Sequence, residues 1–135
     1  MDILSFMKPL TEVVFVRDDS SIADALSVFK RFRYQSIPVV GQDGSYAGSL
    51  SEGDLLYAIA DAGNKLATVL KTPIGQIPRN RQYEAISVQA SVNSLIGKAA
   101  NENFVPIVDD AGKLLGIVTR KTLLGYFFEH QFIVL

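Results

Sequence analysis

The sequence predicts an α/β (α+β) fold built from two copies of a strand-helix-strand-strand-helix (βαββα) unit. The main observation is an internal repeat, because Ile37–Leu56 aligns without gaps with Val105–Leu124 at an offset of 68 residues. Six of the 20 aligned positions are identical, whereas about one identity is expected between unrelated segments of ordinary composition. A helical apolar pattern also precedes each copy, and a short β-rich stretch precedes each helix. We therefore expect two repeats packed about a pseudo-twofold axis, with two related clefts between them.

Each repeat opens with a strand and a capped amphipathic helix. Ser21 and Asp24 form a capping-box pattern, and Ser91 is the expected cap of the second helix. The apolar stripe of the first helix consists of Ile22, Ala25, Leu26 and Phe29. The stripe of the second consists of Val92, Leu95, Ile96, Ala99 and Ala100. The β-rich stretches Val13–Val16 and Ala85–Val88 are the expected first strands.

The aligned segments themselves predict a β-hairpin followed by a closing helix. The turns are expected at Gly41–Gly44 and Asp109–Gly112, and the closing helices begin near Ser51 and Thr119. The first closing helix is predicted to end at Gly63-Asn64. This gives a first repeat with its lead-in over residues 1–64, a connector over 65–82, and a second repeat with a tail over 83–135. Since one repeat has little core of its own, the two together should form one module.

Composition is typical of a globular protein and argues against several classes of partner. The chain is 48% hydrophobic and 20% charged, with a formal net charge of −1, so its charge indicates neither nucleic acid nor a lipid surface. It contains no cysteine, which excludes disulfides and thiolate metal sites. The start MDILSFMKPL does not predict a signal peptide, and no apolar run approaches the roughly 20 residues of a membrane span. We expect a cytoplasmic protein.

No pattern of a catalytic or metal centre is present in the sequence. His130 is the only histidine, and there is no metal-ligand spacing, Walker loop or Gly-x-Gly-x-x-Gly segment. A nucleophile without a neighbouring base has no route to activation. We therefore predict that the protein is not an enzyme and that it has neither a metal nor a catalytic cofactor.

The doubled pattern resembles the cystathionine-β-synthase (CBS) domain. Each copy has a hydrophobe-Pro strand, a turn ending in glycine, and a second strand that runs from glycine to serine or threonine. The segments Leu50–Leu56, Ile77–Arg81 and Asn103–Arg120 are similar to stand-alone CBS-pair proteins of Gram-positive bacteria, and Phe6–Pro9 is similar to the lead-in before a first copy. The resemblance implies a regulatory CBS pair, or Bateman module. Such a module binds an adenosine compound (AMP, ADP, ATP, S-adenosylmethionine or cyclic di-AMP), forms a homodimer and signals to a partner, which here would be a separate protein.

Asp54 and Ser51 are the leading candidates for ligand contact. The resemblance implies that Asp54 accepts hydrogen bonds from both ribose hydroxyls, a role that suits an acceptor-only carboxylate. It also implies that Ser51 contacts phosphate, and the start of a helix is a favourable place for an anion. The same two residues make an ordinary capping box that needs no ligand, so both interpretations stay open.

In this family the motif of one copy faces the first-strand and pre-proline residues of the other. The expected ligand-binding residues of the first-motif cleft are therefore Ser51, Asp54, Gly48, Arg79, Arg81, Tyr83, Asn103 and Phe104. The resemblance assigns phosphate to the two arginines and adenine to Phe104. Alternatively, the arginines keep the connector soluble and Phe104 packs in the core.

The second motif departs from the family pattern because Thr122 stands where the aspartate would be. Thr119 keeps the hydroxyl, and Arg120 with Lys121 adds positive charge. This cleft either is empty or favours phosphate-rich ligands, and the basic pair is alternatively a solvated surface. Its expected residues are Thr119, Arg120, Thr122, Thr11, Val13, Tyr34 and Ser36.

The closing helices carry more apolar residues than one small core should absorb, which favours a homodimer. The residues concerned are Leu55, Leu56, Ile59, Leu123, Leu124, Phe127 and Phe128. The leading functional hypothesis is a regulatory module that binds an adenosine-containing nucleotide. The alternative is a ligand-free structural dimerisation or scaffold protein.

Overall fold

The computed structural model describes residues 2–80 and 82–134, and these form two compact units. The first-repeat unit is Val14–Gln82, and the second-repeat unit combines the residues before Val14 with those from Tyr83 onward. Each unit has its own sheet and its own hydrophobic core. The lead-in before the first repeat thus belongs to the second-repeat unit, and residues 65–82 belong to the first-repeat unit. This differs from the sequence division, which grouped the lead-in with residues 1–64 and treated 65–82 as a connector.

Seven strands and five α-helices occur within the described residues. The strands are β1 (Lys8–Pro9), β2 (Val16–Arg17), β3 (Ser36–Val40), β4 (Tyr46–Ser51), β5 (Ile86–Ser87), β6 (Phe104–Val108) and β7 (Leu114–Thr119). The helices are α1 (Ile22–Phe32), α2 (Glu52–Ala60), α3 (Leu66–Leu70), α4 (Val92–Ala99) and α5 (Arg120–Val134). The predicted order strand, helix, strand, strand, helix is therefore present in both repeats.

The first-repeat unit holds a three-stranded sheet in the order β2-β3-β4. Strand β2 runs parallel to β3, and β3 pairs with β4 in antiparallel register. Helix α1 begins at the predicted capping box, in which Ser21 Oγ accepts a hydrogen bond from Asp24 N at 3.1 Å. Its buried face, with Ile22, Ala25 and Phe29, packs on the sheet. Helix α2 ends at Ala60, earlier than predicted, and Gly63 instead opens a short 3-10 turn with a φ of 57°.

Residues 65–82 are attached to the first repeat along much of their length. Ile74 is fully buried in the core of the first-repeat unit, at 0% exposure. Backbone hydrogen bonds join Ile22 N to Thr72 O at 3.0 Å, and Ile74 N to Ser20 O at 2.8 Å. The segment is therefore an integral part of this unit, because it supplies both a core residue and backbone hydrogen bonds.

The second-repeat unit holds a four-stranded sheet in the order β1-β7-β6-β5. Ser91 caps α4 as predicted, since Ser91 Oγ accepts a hydrogen bond from Ser94 N at 3.1 Å. Strand β1 adds the lead-in to this sheet by antiparallel pairing of Lys8 with Ile117 and of Pro9 with Gly116. The lead-in also contributes Ile3 and Phe6 to the core. The second repeat is thus completed by the residues before Val14, which lead into the first repeat, and the first repeat is completed by residues 65–82, which lead into the second. We call both segments lead-ins.

The closing helices each bury one leucine and expose the next. Leu55 and Leu123 lie in the cores, so the cores absorb these two members of the predicted apolar set. Leu56 and Leu124 are 67% and 69% exposed. Within the described ranges, no helix has both the length and the hydropathy required to cross a membrane.

A side chain at position 116 should disturb the pairing of β1 with β7. An ideal Cβ on Gly116 would overlap the Lys8 carbonyl oxygen and would lie 2.9 Å from Met7 Cγ. We expect Gly116→Ala to lower the free energy of unfolding by about 1–3 kcal/mol, because overpacking forces the two strands apart. Urea unfolding followed by circular dichroism measures this change.

Gly97→Ala is the matched control for that measurement. Apart from its chain neighbours and the backbone of its own helix, no described atom lies within 4 Å of a Cβ placed at Gly97, which is in α4. Alanine should therefore raise the free energy of unfolding there by about 0.5–1 kcal/mol. Equal stability of Gly116→Ala and the unmodified protein would contradict the pairing of β1 with β7.

Candidate functional site

Asp54 lies in the first turn of α2 and makes a complete capping box with Ser51. Ser51 Oγ accepts a hydrogen bond from Asp54 N at 3.1 Å, and Asp54 Oδ2 accepts one from Ser51 N at 2.9 Å. The capping role that the sequence predicted for these two residues is therefore observed. It accounts for only one of the two carboxylate oxygens.

The second oxygen of Asp54 binds the segment that precedes the second repeat. Asp54 Oδ1 accepts a hydrogen bond from Asn80 N at 2.9 Å, and the Asp54 residue is only 6% exposed. Among the described residues no cationic side chain forms an ion pair with Asp54 within 4.0 Å. Backbone amides and the N-terminus of α2 therefore stabilise its negative charge. A carboxylate has about four acceptor positions, so about two remain after these amides are bound. The carboxylate is thus bound at both oxygens, and the amides of the described residues leave about two of its acceptor positions unused.

The middle of β4 is contacted by two side chains from the same segment. Arg79 Nη1 donates a hydrogen bond to the Ser49 carbonyl at 3.4 Å. The side-chain amide of Gln82 lies against Gly48, where an ideal Cβ would overlap Gln82 Oε1. Gly48 also has a φ of 95°, so both its backbone conformation and this close approach require glycine. Arg81 lies outside the described residues.

The other expected residues of the first-motif cleft belong to the second-repeat unit. The Phe104 ring meets the Tyr83 ring edge to face at a centroid distance of 4.9 Å. The Tyr83 hydroxyl accepts a hydrogen bond from Asn103 N at 3.5 Å. Phe104 is 4% exposed and packs with Val13 and Ile117, which is the core role left open by the sequence. Contact of these residues with a ligand stays a prediction.

The second motif is capped without a carboxylate. Thr119 Oγ1 accepts a hydrogen bond from Thr122 N at 3.2 Å and lies 3.0 Å from Thr122 Oγ1. Arg120 Nε donates to the Ala99 carbonyl at 2.7 Å. Arg120 also lines a cavity of about 340 Å³ whose other walls are Ile96, Ala99, Ala100, Leu123, Leu124 and Phe127. The Arg120 side chain is thus engaged at the end of α4.

The remaining residues predicted for the second-motif cleft are divided between the units. Thr11 and Val13 belong to the second-repeat unit, and Val13 is buried beside Phe104. Tyr34 and Ser36 belong to the first-repeat unit. Tyr34 is exposed, and its ring lies parallel to that of Phe32 with centroids 6.3 Å apart. Ser36 pairs with Ser51 across β3 and β4.

Asn80 and Gln82 fall within residues 79–83, which the family resemblance places opposite Ser51 and Asp54, but neither was named as a site residue. Asn80 acts through its backbone N–H, which every residue except proline carries, so no residue type marks the position. Gln82 contacts a glycine that is distant in sequence, and no local pattern predicts such a contact.

No group of three or more histidine, cysteine, aspartate or glutamate side chains that could hold a metal ion occurs in the described part of the chain. His130 Nδ1 lies 2.8 Å from the Tyr126 carbonyl oxygen, and the His130 ring stacks on the Tyr126 ring with centroids 3.9 Å apart. The histidine is therefore engaged in a local contact within α5.

Both repeats match the model of the CBS domain family, over residues 2–61 and 74–129. Inosine-5'-monophosphate dehydrogenase of Mycobacterium tuberculosis is 28% identical over 112 residues, which cover 83% of this chain and 20% of the dehydrogenase. The chain thus spans about a fifth of the length of the first curated relatives it matches. A match of this extent gives no evidence for dehydrogenase activity.

Two solved structures share the fold. The structure of CbpB in complex with c-di-AMP has a TM-score of 0.88 at 19% identity and covers 98% of this chain and 89% of CbpB. CBSX2 of Arabidopsis thaliana in complex with AMP has a TM-score of 0.76 at 20% identity and covers 96% of this chain and 98% of CBSX2. The predicted fold class and the resemblance to stand-alone CBS-pair proteins are confirmed.

Removal of the Asp54 carboxylate should destabilise the first-repeat unit. Asp54→Ala leaves the amides of Ser51 and Asn80 without their acceptor in a partly buried place. We expect the free energy of unfolding to fall by about 1–3 kcal/mol, as measured by urea titration.

Asp24→Ala is the control, because Asp24 is the corresponding residue of the exposed capping box on α1. Among the described residues it accepts from Ser21 N alone, at 3.4 Å. We expect that variant to lose less than about 1 kcal/mol. Equal losses for the two variants would show that the bond between Asp54 and Asn80 adds nothing to stability.

Proposed function

This chain belongs to the CBS domain family, and we propose that it is a regulatory module that binds an adenosine-containing nucleotide at Asp54. The observation that carries the proposal is the Asp54 carboxylate, which is buried and held by two backbone amides that, within the described part of the chain, leave part of its acceptor capacity unused. Support also comes from two proteins of the same fold, CbpB with c-di-AMP and CBSX2 with AMP.

In this proposal each polar group at the site has a distinct task. Asp54 accepts hydrogen bonds from the hydroxyls of a ribose. Ser51 Oγ accepts from Asp54 N, so its own proton is available for a phosphate oxygen. Arg79 uses one of its donors on Ser49 O and offers others to phosphate. The N-terminus of α2 adds a favourable dipole for the anion.

The second motif has a different role in the proposal. Thr122 offers a single hydroxyl where the family has a carboxylate, and that hydroxyl lies 3.0 Å from Thr119 Oγ1. It therefore lacks the acceptor capacity of a carboxylate for two ribose hydroxyls. The first motif is the nucleotide site, and the second motif does not bind ribose.

The module acts without catalysis and transmits its ligand state to a separate protein. The dimer surface includes the exposed side chains of Leu56, Leu124 and Phe128 on the closing helices. Apolar groups of this size on a surface favour burial against another copy of the chain.

A structural dimerisation protein without ligand is the second candidate function. It is favoured by the capping box of Ser51 and Asp54, whose hydrogen bonds are complete without any nucleotide. This candidate shares the dimer surface with the first and differs from it in ligand binding alone.

Nucleotide binding separates the two functions. A thermal-shift screen with AMP, ADP, ATP, cyclic di-AMP and S-adenosylmethionine should show stabilisation, since a ligand at 100 times its Kd adds about 2.7 kcal/mol. Asp54→Asn removes the charge and one acceptor oxygen, so affinity for the tightest ligand should fall roughly 10- to 150-fold in calorimetric titration.

Asp24→Asn, at the exposed capping box of α1, should bind as tightly as the unmodified protein. If none of the five compounds raises the melting temperature, the ligand-free scaffold becomes the better description.

The proposed dimer surface predicts the mass of the protein in solution. Light scattering at micromolar concentration should give the mass of a dimer, and Leu124→Lys should shift the protein toward the monomer because a charge would be buried at the interface. Ile3 is fully buried in the same unit, so Ile3→Ala should lower stability without changing the mass. A monomeric mass for the unmodified protein would contradict the proposed dimer.

A further inference from the structure

The geometry of Asp54 depends on two different parts of the chain. Ser51 N donates to Oδ2 from the start of α2, and Asn80 N donates to Oδ1 from the segment before the second repeat, each at 2.9 Å. The last torsion of an aspartate side chain is broad, so a carboxylate bound at one oxygen retains rotational freedom. With both oxygens bound, that freedom is lost before any ligand arrives.

We infer that Asn80 is a positioning residue for nucleotide binding, because its amide holds Asp54 in the orientation that accepts two ribose hydroxyls. Each Asp54 oxygen has about two acceptor positions, so one remains on each after the two amides are bound. Two acceptors fixed on one carboxylate match two hydroxyl donors on neighbouring carbons, as in the 2'- and 3'-hydroxyls of a ribose. The inference rests on the proposed function and adds the group that orients the carboxylate.

The neighbours of Asn80 support its position. Arg79 is bound to the Ser49 carbonyl at 3.4 Å, and the Gln82 side chain lies against Gly48. These contacts attach the segment to β4 on both sides of Asn80. The amide donor is therefore held in place by contacts that do not involve Asp54.

The second-repeat unit shows that a lead-in can be attached without such a carboxylate. There β1 pairs directly with β7, through Lys8 with Ile117 and Pro9 with Gly116. Thr122 occupies the position equivalent to Asp54 and is bonded to Thr119. Since strand pairing is sufficient to attach one lead-in, the bond from Asn80 to Asp54 is not required by the fold of a repeat. Its effect on the orientation of Asp54 is therefore additional to its contribution to stability.

Two substitutions at position 80 test the inference. Asn80→Pro removes the N–H donor, whereas Asn80→Ala keeps it and serves as the matched control. Titration calorimetry gives the Kd of AMP and of 2'-deoxy-AMP for each protein. We expect the unmodified protein and Asn80→Ala to prefer AMP by about tenfold or more, which is the effect of one charge-assisted hydrogen bond.

In Asn80→Pro the preference for AMP should fall to about twofold or less. A merely structural role would weaken both ligands by the same factor and leave the preference unchanged, and that result would overturn the inference.

Hydrogen exchange provides a readout that does not require Asn80→Pro to fold. In the unmodified protein, AMP should slow exchange of the Asn80 amide more than 2'-deoxy-AMP does, because the diol fixes the carboxylate that this amide binds. The Ala111 amide is the control, since it donates to an aspartate in the same way, to Asp109 Oδ1 at 2.9 Å, in a hairpin turn. Unchanged or faster exchange at Asn80 in the AMP complex would overturn the inference.

The outcomes also distinguish this inference from the proposed function. If the unmodified protein binds none of the adenosine compounds, the proposed function fails. If it binds AMP with no preference over 2'-deoxy-AMP, Asp54 does not recognise the ribose hydroxyls. The inference about Asn80 then fails as well, whereas nucleotide binding stands. Binding of cyclic di-AMP alone, whose 3'–5' linkages leave only one free hydroxyl on each ribose, would overturn the inference that Asn80 orients Asp54 for two hydroxyls and would leave nucleotide binding intact.

Discussion

The small core of a single repeat is the constraint on which the rest of this structure depends. A unit of about 60 residues buries only part of the apolar surface that larger domains bury. Each repeat is completed by a lead-in segment that inserts a fully buried isoleucine, Ile74 in the first-repeat unit and Ile3 in the second. Hydrophobic burial of these side chains therefore decides which segments of the chain belong together.

The position of the hydrogen-bonding groups around Asp54 is a consequence of the burial of Ile74. Once Ile74 is inserted and its amide is bound to Ser20, the next residues of the chain run along the first repeat toward β4 and the start of α2. Arg79 reaches Ser49 there, and Asn80 reaches the carboxylate of Asp54. A buried carboxylate needs donors, and the segment supplies one of them from its backbone. The residue that the family resemblance assigns to ribose is thus also a residue that attaches the segment.

The two repeats use the same backbone plan with different side chains at the critical position. In the second repeat a threonine replaces the aspartate, and its lead-in is attached by strand pairing at Gly116, where no side chain fits. In the first repeat Gly48 faces the Gln82 side chain. As a result, the buried polar side chains of the described residues, Ser49 and Asp54, both lie in the first-repeat unit. This asymmetry is also the physical reason to assign different roles to the two motifs.

The sequence by itself determined the βαββα order, the hairpin turns, the capping residues Ser21, Ser51 and Ser91, and the family. These features are local, because hydrophobic periodicity, turn glycines and cap hydroxyls act within a few residues of one another. Only the tertiary structure decided that each lead-in packs on the other repeat and that Leu55 and Leu123 are core residues. It also decided that Arg120 binds the Ala99 carbonyl and that Asp54 has a second donor in Asn80. Those contacts join residues distant in the chain, several through backbone groups that every residue type shares, so their positions depend on how the cores pack.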